Sequence, residues 1–297
     1  MRNLRFDDKV VIVTGAGRGI GRAYARLFAA RGGHVVVNDL GAAIDGRGDD
    51  TAPAAQVAGE ILDRGGSAIA NTDDISTKEG AEALVAETLE RFGRVDALVN
   101  NAGIVRWAGL PDLDADNLDA HYDVHVLGSF LPTRAVWPHF AARGAGRVVM
   151  TTSAGVFGLP TNTGYATAKG GVIGLTRSLA TAGREDGIAV NAIAPAAFTR
   201  MAGRPGPGTE HMDPALVAPL VAYLAHEDCP VTGEIYTAGA RRFARIVIGT
   251  TDGYVHPEAE PSIEDVIAHC SEINDPTTMS VPTDLLDWST RFMTHLP

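Results

Sequence analysis

Tyr165 and Lys169 stand four residues apart, and Ser153 lies twelve residues before the tyrosine. On a helix, positions i and i+4 project from one face, so the phenol and the ammonium can meet. A nearby ammonium stabilises phenolate. It therefore lowers the tyrosine pKa and makes the phenol a usable proton donor and acceptor. Standing alone, Tyr165-Ala166-Thr167-Ala168-Lys169 would read as an ordinary surface pair. With Ser153 upstream, just after a strand, that plainer reading recedes.

A second constellation lies near the amino terminus. The strand Val10–Val13 runs into Thr14-Gly15-Ala16-Gly17-Arg18-Gly19-Ile20-Gly21 and then directly into a helix. Glycines let the backbone turn sharply and approach a pyrophosphate, whose charge sits at the helix amino terminus. A tight structural turn is the alternative. The strand before, the helix after, and Asp39 at the end of the second strand, 18 residues beyond Gly21, favour a dinucleotide site. Asp39 can accept both ribose hydroxyls of an adenosine, and its charge repels a 2′-phosphate, which argues for NAD over NADP. Arg18 pulls the other way, since a guanidinium in that loop attracts the extra phosphate. The acid, placed directly at the ribose, outweighs it.

Short β-branched runs alternate with alanine-rich segments at helical period, and these elements must position both constellations. Strands are expected at Val10–Val13, Val35–Val37, Ser67–Ala70, Ala97–Val99, Val148–Thr151 and Ala189–Ile193. Helices are expected at Gly21–Arg31 (with Ala23, Leu27 and Phe28 inward), Pro53–Arg64, Lys78–Phe92, Leu118–Arg143, Tyr165–Gly183 and Pro214–His226. Buried strands without polar alternation, separated by helices, mean a parallel sheet covered on both faces. The expected fold is α/β, a doubly wound parallel sheet of Rossmann type. It forms a single domain over residues 1–240 with a C-terminal extension, 241–297, that packs on the domain or a partner subunit. The extension carries a strand at Arg245–Ile248 and a helix at Ser262–Ile273, and is too small to fold alone. The stretch Ala202–Gly208 is too rich in Gly and Pro for regular structure and reads as a mobile substrate lid.

These motifs resemble the short-chain dehydrogenase/reductase family over about residues 7–240. The resemblance rests on the Thr14–Gly21 loop, Asp74-Ile75, Asn100-Asn101-Ala102-Gly103, Ser153, Tyr165-x-x-x-Lys169 and Asn191-Ala192-Ile193-Ala194-Pro195. It implies Tyr165 as acid/base, Lys169 holding the nicotinamide ribose, and Ser153 orienting the substrate oxygen. It also implies a cofactor lining of Gly15, Arg18, Gly19, Ile20, Gly21, Asp39, Asp74, Ile75, Asn101, Ala102, Gly103, Pro195 and Thr199. Three departures stand out. His125 occupies a position where the family usually has an asparagine that holds a relay water. The Ser153–Tyr165 gap is one residue short, and Pro195-Ala196 replaces a Pro-Gly turn. A nearer resemblance, through Asn38-Asp39-Leu40-Gly41, Gly21-Arg22-Ala23-Tyr24, His125–Phe130 and Val217–Glu227, is to the (3R)-hydroxyacyl-CoA dehydrogenase unit of peroxisomal multifunctional enzymes and its bacterial relatives. The family also implies a homodimer or homotetramer built on the helices Leu118–Arg143 and Tyr165–Gly183.

Composition sets the outer limits. The 297 residues carry 25 Lys+Arg against 36 Asp+Glu, a net charge of −11, which lacks the electrostatic footprint of a nucleic-acid or anionic-membrane binder. Cys229 and Cys270 make neither a disulfide framework nor a metal pair, and His121 and His125 lack a third ligand, so no metal is expected. The charged amino terminus is unlike a signal peptide, and a cytoplasmic location is the default. The leading expectation is NAD-dependent oxidation of a 3-hydroxyacyl-CoA. The alternatives are a hydroxysteroid or small secondary-alcohol dehydrogenase and, from another class, an NAD-binding sensor or scaffold without turnover. For a CoA ester, Arg106, Arg200, Arg204, Arg241 and Arg242 are candidate phosphate contacts.

Overall fold

Five consecutive buried residues, Val-Val-Ile-Val-Thr, make the central strand β1 (Val10–Thr14) of an eight-stranded sheet. The computed structural model describes residues 4–203, 206–257 and 260–296, so Arg204 of the Gly/Pro-rich loop lies outside the described residues. The sheet order is β3-β2-β1-β4-β5-β6-β7-β8. Around β1 stand β2 (His34–Asn38), β3 (Ser67–Asn71), β4 (Ala97–Asn100), β5 (Gly146–Thr151), β6 (Ile188–Pro195) and β7 (Ile235–Gly239), all paired in parallel. Helices α1 (Gly19–Ala30), α2 (Ala52–Leu62), α3 (Lys78–Phe92), α4 (Ala115–Tyr122), α5 (Gly128–Arg143), α6 (Thr163–Ala182) and α7 (Ala218–Leu224) connect them. The chain order reverses between β1 and β4, and the carboxyl ends of those two strands open a crevice. This is the expected Rossmann-type sheet.

Several expected boundaries move for physical reasons. Helix α1 begins at Gly19 rather than Gly21, and its buried face is Gly21, Tyr24, Ala25 and Phe28, with Ala23 and Leu27 only partly buried. The expected single helix Leu118–Arg143 is two helices joined by one π-helical turn, Asp123–Leu127. Pro132 inside α5 has no N–H for the preceding turn, and the Ser129 hydroxyl donates to the His125 carbonyl at 2.7 Å. The expected helix Pro214–His226 is a 3₁₀ turn, Pro214–Leu216, followed by α7.

The strand expected at Arg245–Ile248 lies at Arg242–Ile246 and forms β8, the outermost strand. Ala240 (φ 46°) and Arg241 (φ 65°) both take left-handed backbone, the geometry of a two-residue hairpin that turns β8 back along β7. The first compact unit accordingly continues to Arg245, five residues past the expected boundary. The second begins at Ile246 and holds α8 (Ile263–Ala268), α9 (Cys270–Ile273) and α10 (Leu285–Phe292). The expected single helix Ser262–Ile273 breaks at His269, whose ring stacks on Tyr254 at 3.6 Å.

Candidate active site

The crevice is a cavity of about 840 Å³, lined at one end by the glycine loop and Asp39 and at the other by Ser153, Tyr165 and Lys169. Gly15, Arg18, Gly19, Ile20, Gly21, Asp39, Asp74, Ile75, Asn101, Ala102, Gly103, His125, Pro195 and Thr199 all line it, so one space gathers every residue expected to meet a cofactor. At Gly21 a Cβ would stand 2.3 Å from the Gly15 carbonyl oxygen and 2.5 Å from Asn101 Nδ2, so only glycine fits. Asn101 Nδ2 donates to the carbonyls of Thr14 (2.9 Å) and Gly15 (3.1 Å), and the N–H groups of Asn101 and Ala102 donate to Thr14 Oγ1. The asparagine thus clamps the end of β4 to the glycine loop.

Asp39 is fixed by the backbone. Its Oδ2 accepts the Gly17 N–H at 2.8 Å and its Oδ1 the Gly41 N–H at 2.7 Å, leaving lone pairs on both oxygens for further donors. Arg18 is engaged elsewhere. It donates to the carbonyls of Gly41 and Ala42 and pairs with Asp50 at 3.4 Å. Asp74 Oδ1 accepts both the N–H and the hydroxyl of Ser76, and Thr199 Oγ1 accepts the Met201 N–H.

At the other end, β5 delivers Thr151 and the chain turns through Ser153 into α6. Ser153 Oγ accepts the Gly155 N–H at 3.0 Å, and its hydroxyl is hydrogen-bonded with Tyr165. Lys169 is 3% exposed, and its Nζ donates to the Thr151 carbonyl at 2.7 Å and lies 5.7 Å from the Tyr165 ring centre. The expected depression of the tyrosine pKa is not what these surroundings produce. Burial raises the Tyr165 phenol, with only the Ser153 hydrogen bond opposing it, and burial brings Lys169 down to about 7. Burial disfavours the charge on both groups, so the ammonium that was to stabilise the phenolate is itself weakened.

A consequence for stability follows. The unfolded lysine titrates near ~10.4, so between about pH 7 and that value the unfolded chain binds the extra proton and stability rises with pH. Below about pH 7 both states hold the proton, and the full cost of burying the ammonium is present. Lys169→Met is expected to stabilise the fold by roughly 2–4 kcal/mol near pH 6, the gain shrinking toward pH 10. Denaturant midpoints measured across that range check it; a difference independent of pH would contradict it.

His125, in the π-helical turn, stands 5.2 Å from the Tyr165 ring at 90°. Its Nε2 meets the Ile104 carbonyl at 2.9 Å and so carries the proton, while Nδ1 is buried without a partner. Burial, then the nearby Lys169, hold its pKa well below the ordinary value. His121 uses both ring nitrogens, with Nδ1 on the Asn117 carbonyl and Nε2 accepting the Arg106 N–H. Among the described residues no three His, Cys, Asp or Glu side chains group as metal ligands.

Of the arginines expected at the substrate mouth, Arg200 lines the cavity and Arg106 does not. Arg106 Nε donates to the Asp45 carbonyl at 2.7 Å and Arg200 to the Ala42 carbonyl at 3.2 Å, both fastening the loop after β2. Arg241 lies in the hairpin turn and Arg242 on the outermost strand. Sequence reasoning missed that loop's contribution (Leu40, Ala42, Ala43 and Gly46), the apolar lining from Trp107, Leu159 and Met201, and the amide of Asn162. These contacts join segments far apart in sequence, and no local spacing announces them.

The glycine cradle, the fixed acid and the volume of the cavity suit a nicotinamide dinucleotide. The model of the short chain dehydrogenase family matches residues 9–204. The chain is 42% identical over 272 residues to a Mycobacterium tuberculosis protein described as a short-chain type dehydrogenase/reductase, covering 91% of this chain and 95% of that one. It is 40% identical over 291 residues to the mouse peroxisomal multifunctional enzyme type 2, covering 94% of this chain but only 39% of that enzyme. Among solved structures, the Drosophila melanogaster peroxisomal multifunctional enzyme type 2 superposes with a TM-score of 0.82 at 31% identity, over 99% of this chain and 50% of that one. A 7α-hydroxysteroid dehydrogenase complexed with NADH and 7-oxo glycochenodeoxycholic acid does so with 0.71 at 29% identity, over 81% and 97%. The chain belongs to the short-chain dehydrogenase/reductase family, close to the dehydrogenase unit of the multifunctional enzymes. It is an oxidoreductase that interconverts alcohols and ketones.

Proposed function

We propose that the protein oxidises a 3-hydroxyacyl-CoA to the 3-ketoacyl-CoA with NAD, using Ser153, Tyr165 and Lys169. The observation that carries this reading is the single cavity that joins Asp39 and the glycine loop to the Ser153–Tyr165–Lys169 cluster. A bound nicotinamide would supply the hydride acceptor. Ser153 would hold the substrate oxygen, and Tyr165, once it has lost its own proton, would take the hydroxyl proton as the carbinol carbon gives up its hydride. Lys169, anchored on the Thr151 carbonyl, would offer its remaining N–H donors to the nicotinamide ribose. The free Nδ1 of neutral His125 can accept a hydrogen bond and so hold a relay water near Lys169. NAD is favoured over NADP by the Asp39 carboxylate, whose charge opposes a 2′-phosphate, and by the engagement of Arg18 with loop carbonyls and Asp50.

The thioester assignment draws on the multifunctional-enzyme relatives. A second reading, a hydroxysteroid dehydrogenase, has its own support in the exposed apolar residues Trp107, Phe157 and Leu159 and in the steroid dehydrogenase neighbour. An NAD-binding sensor without turnover has no need of the intact trio. Initial rates with NAD and NADP on 3-hydroxyacyl-CoAs, hydroxysteroids and simple secondary alcohols separate the three. The expected result is the highest kcat/KM for a 3-hydroxyacyl-CoA with NAD. A steroid turned over far better than any acyl-CoA selects the second reading, and no turnover of any alcohol selects the sensor.

A further inference from the structure

After β4 the chain leaves the sheet, and residues 104–106 bond to two separate parts of the molecule. Toward the loop after β2, the Val105 N–H donates to the Ile44 carbonyl at 2.9 Å and Arg106 Nε to the Asp45 carbonyl at 2.7 Å. Toward α4, the Arg106 N–H donates to His121 Nε2 at 3.1 Å, and Asn117 Nδ2 donates to the Arg106 carbonyl at 3.1 Å. Toward the π-helical turn, the His125 ring N–H donates to the Ile104 carbonyl at 2.9 Å. One short segment thus joins that loop to both histidines.

Each side of this link bears on the cavity. Directly after Asp39 the loop supplies Leu40, Ala42, Ala43 and Gly46 to the wall, while residues 47–50 are exposed. With little apolar packing of its own, the loop takes its position from the hydrogen bonds that reach it. On the other side the His121 and His125 rings lie nearly parallel, 5.9 Å apart, and both stand nearly perpendicular to the Tyr165 ring, at 6.0 and 5.2 Å. His121 is fully buried, and burial holds its pKa below the ordinary value, so its Nε2 keeps the lone pair that takes the Arg106 N–H. The link has little slack. A Cβ on Gly103 would stand 2.6 Å from His125 Cε1, so the backbone before the segment is pressed against that ring. Neither Arg106 nor His121 is among the residues that line the cavity.

We infer that Arg106 and His121 are positioning residues that tie the loop beside the adenosine half of the dinucleotide to the Tyr165 ring, so that seating the adenosine sets the ring for proton transfer. This rests on the dehydrogenase reading above and goes beyond it. The adenosine half then contributes to turnover as well as to affinity. A coupling between two sites acts equally in both directions, so loosening the histidine side weakens binding on the adenosine side.

The test uses ADP-ribose, which carries the adenosine and pyrophosphate of NAD without the nicotinamide. Its affinity for the full chain is measured by calorimetry for wild type, His121→Phe, His121→Gln and Arg106→Met, with kcat at saturating NAD on the alcohol that wild type turns over fastest. The expected result for His121→Phe is ADP-ribose binding weakened about fivefold, the usual worth of one neutral hydrogen bond, although the residue lies outside the cavity. His121→Gln, whose amide oxygen can take the Arg106 N–H, recovers most of that loss. Arg106→Met, which keeps the apolar stem, weakens ADP-ribose and also lowers kcat at saturating NAD, each by about fivefold. Unchanged ADP-ribose affinity in folded His121→Phe, or an equal loss in the Phe and Gln variants, would overturn the inference. So would an Arg106→Met enzyme that binds ADP-ribose weakly yet keeps its saturated kcat, since Arg106 would then only anchor the loop. If His121→Phe does not fold, Arg106→Met alone decides. A wild-type protein that binds no ADP-ribose removes the dinucleotide reading itself, whereas one that binds it with no transmitted loss in the variants leaves that reading standing.

Discussion

Tyr165→Phe is expected to lose turnover by roughly 10²–10⁴-fold, the usual contribution of a positioned acid–base group, while keeping the fold and the affinity for NAD. The substitution removes one oxygen. The ring stays edge-on to His125 and close to Lys169, contacts that depend on its carbon atoms. What disappears is the phenolic proton and its hydrogen bond with Ser153. Because burial raises the phenol's pKa, the residual dependence on pH is informative as well. The wild-type oxidation rate should climb with pH as the tyrosine loses its proton, and the flat remnant in the phenylalanine variant should not. Steady-state kinetics on the purified variant decide it. Near-normal rates would remove Tyr165 from the chemistry.

Asp39→Ala is expected to lower kcat/KM for NAD by roughly tenfold to a hundredfold, the range for hydrogen bonds to a charged acceptor, and to raise that for NADP. The carboxylate also holds the N–H groups of Gly17 and Gly41, so Asp39→Asn is the cleaner companion, removing charge while keeping an acceptor. Arg200 lies close enough to Arg18 and Asp39 for their charges to act on it. With the acid gone, two guanidiniums remain near the end of the cavity where a 2′-phosphate would sit. An unchanged NAD/NADP ratio in both variants would assign the choice to another residue.

What the sequence revealed and what it hid divide along the range of the contacts. The Tyr165–Lys169 pair and the glycine loop are local: their spacing within one helix turn, or within one strand–turn–helix, is enough to predict their geometry. The parallel sheet was legible for the same reason, since strands such as Val10–Thr14 are apolar on both faces. Asn162 was illegible because, in sequence, it is an unremarkable residue at a helix start; its place on the cavity wall exists only in three dimensions. The tethers of two arginines were hidden because a guanidinium near a presumed mouth looks free, whereas Arg106 bonds to Asp45, 61 residues away, and Arg200, which lines the cavity, to Ala42, 158 away. The expected fall in the tyrosine pKa failed for a similar reason. The pairing is visible in the spacing, but the burial that suppresses the Lys169 charge is set by the elements packed over it. His125 could be marked as unusual from its position, yet its free Nδ1 depends on the Ile104 carbonyl taking the other nitrogen.

The most direct measurement is a single-turnover reaction of the purified chain with a 3-hydroxyacyl-CoA and NAD, following reduced nicotinamide by absorbance and the 3-ketoacyl-CoA by mass in the same sample. The account predicts one reduced nicotinamide and one 3-ketoacyl-CoA per active site, and almost none of either over the same interval with Tyr165→Phe. Absence of both products from the wild-type protein with bound NAD, or equal amounts from the phenylalanine variant, would contradict it.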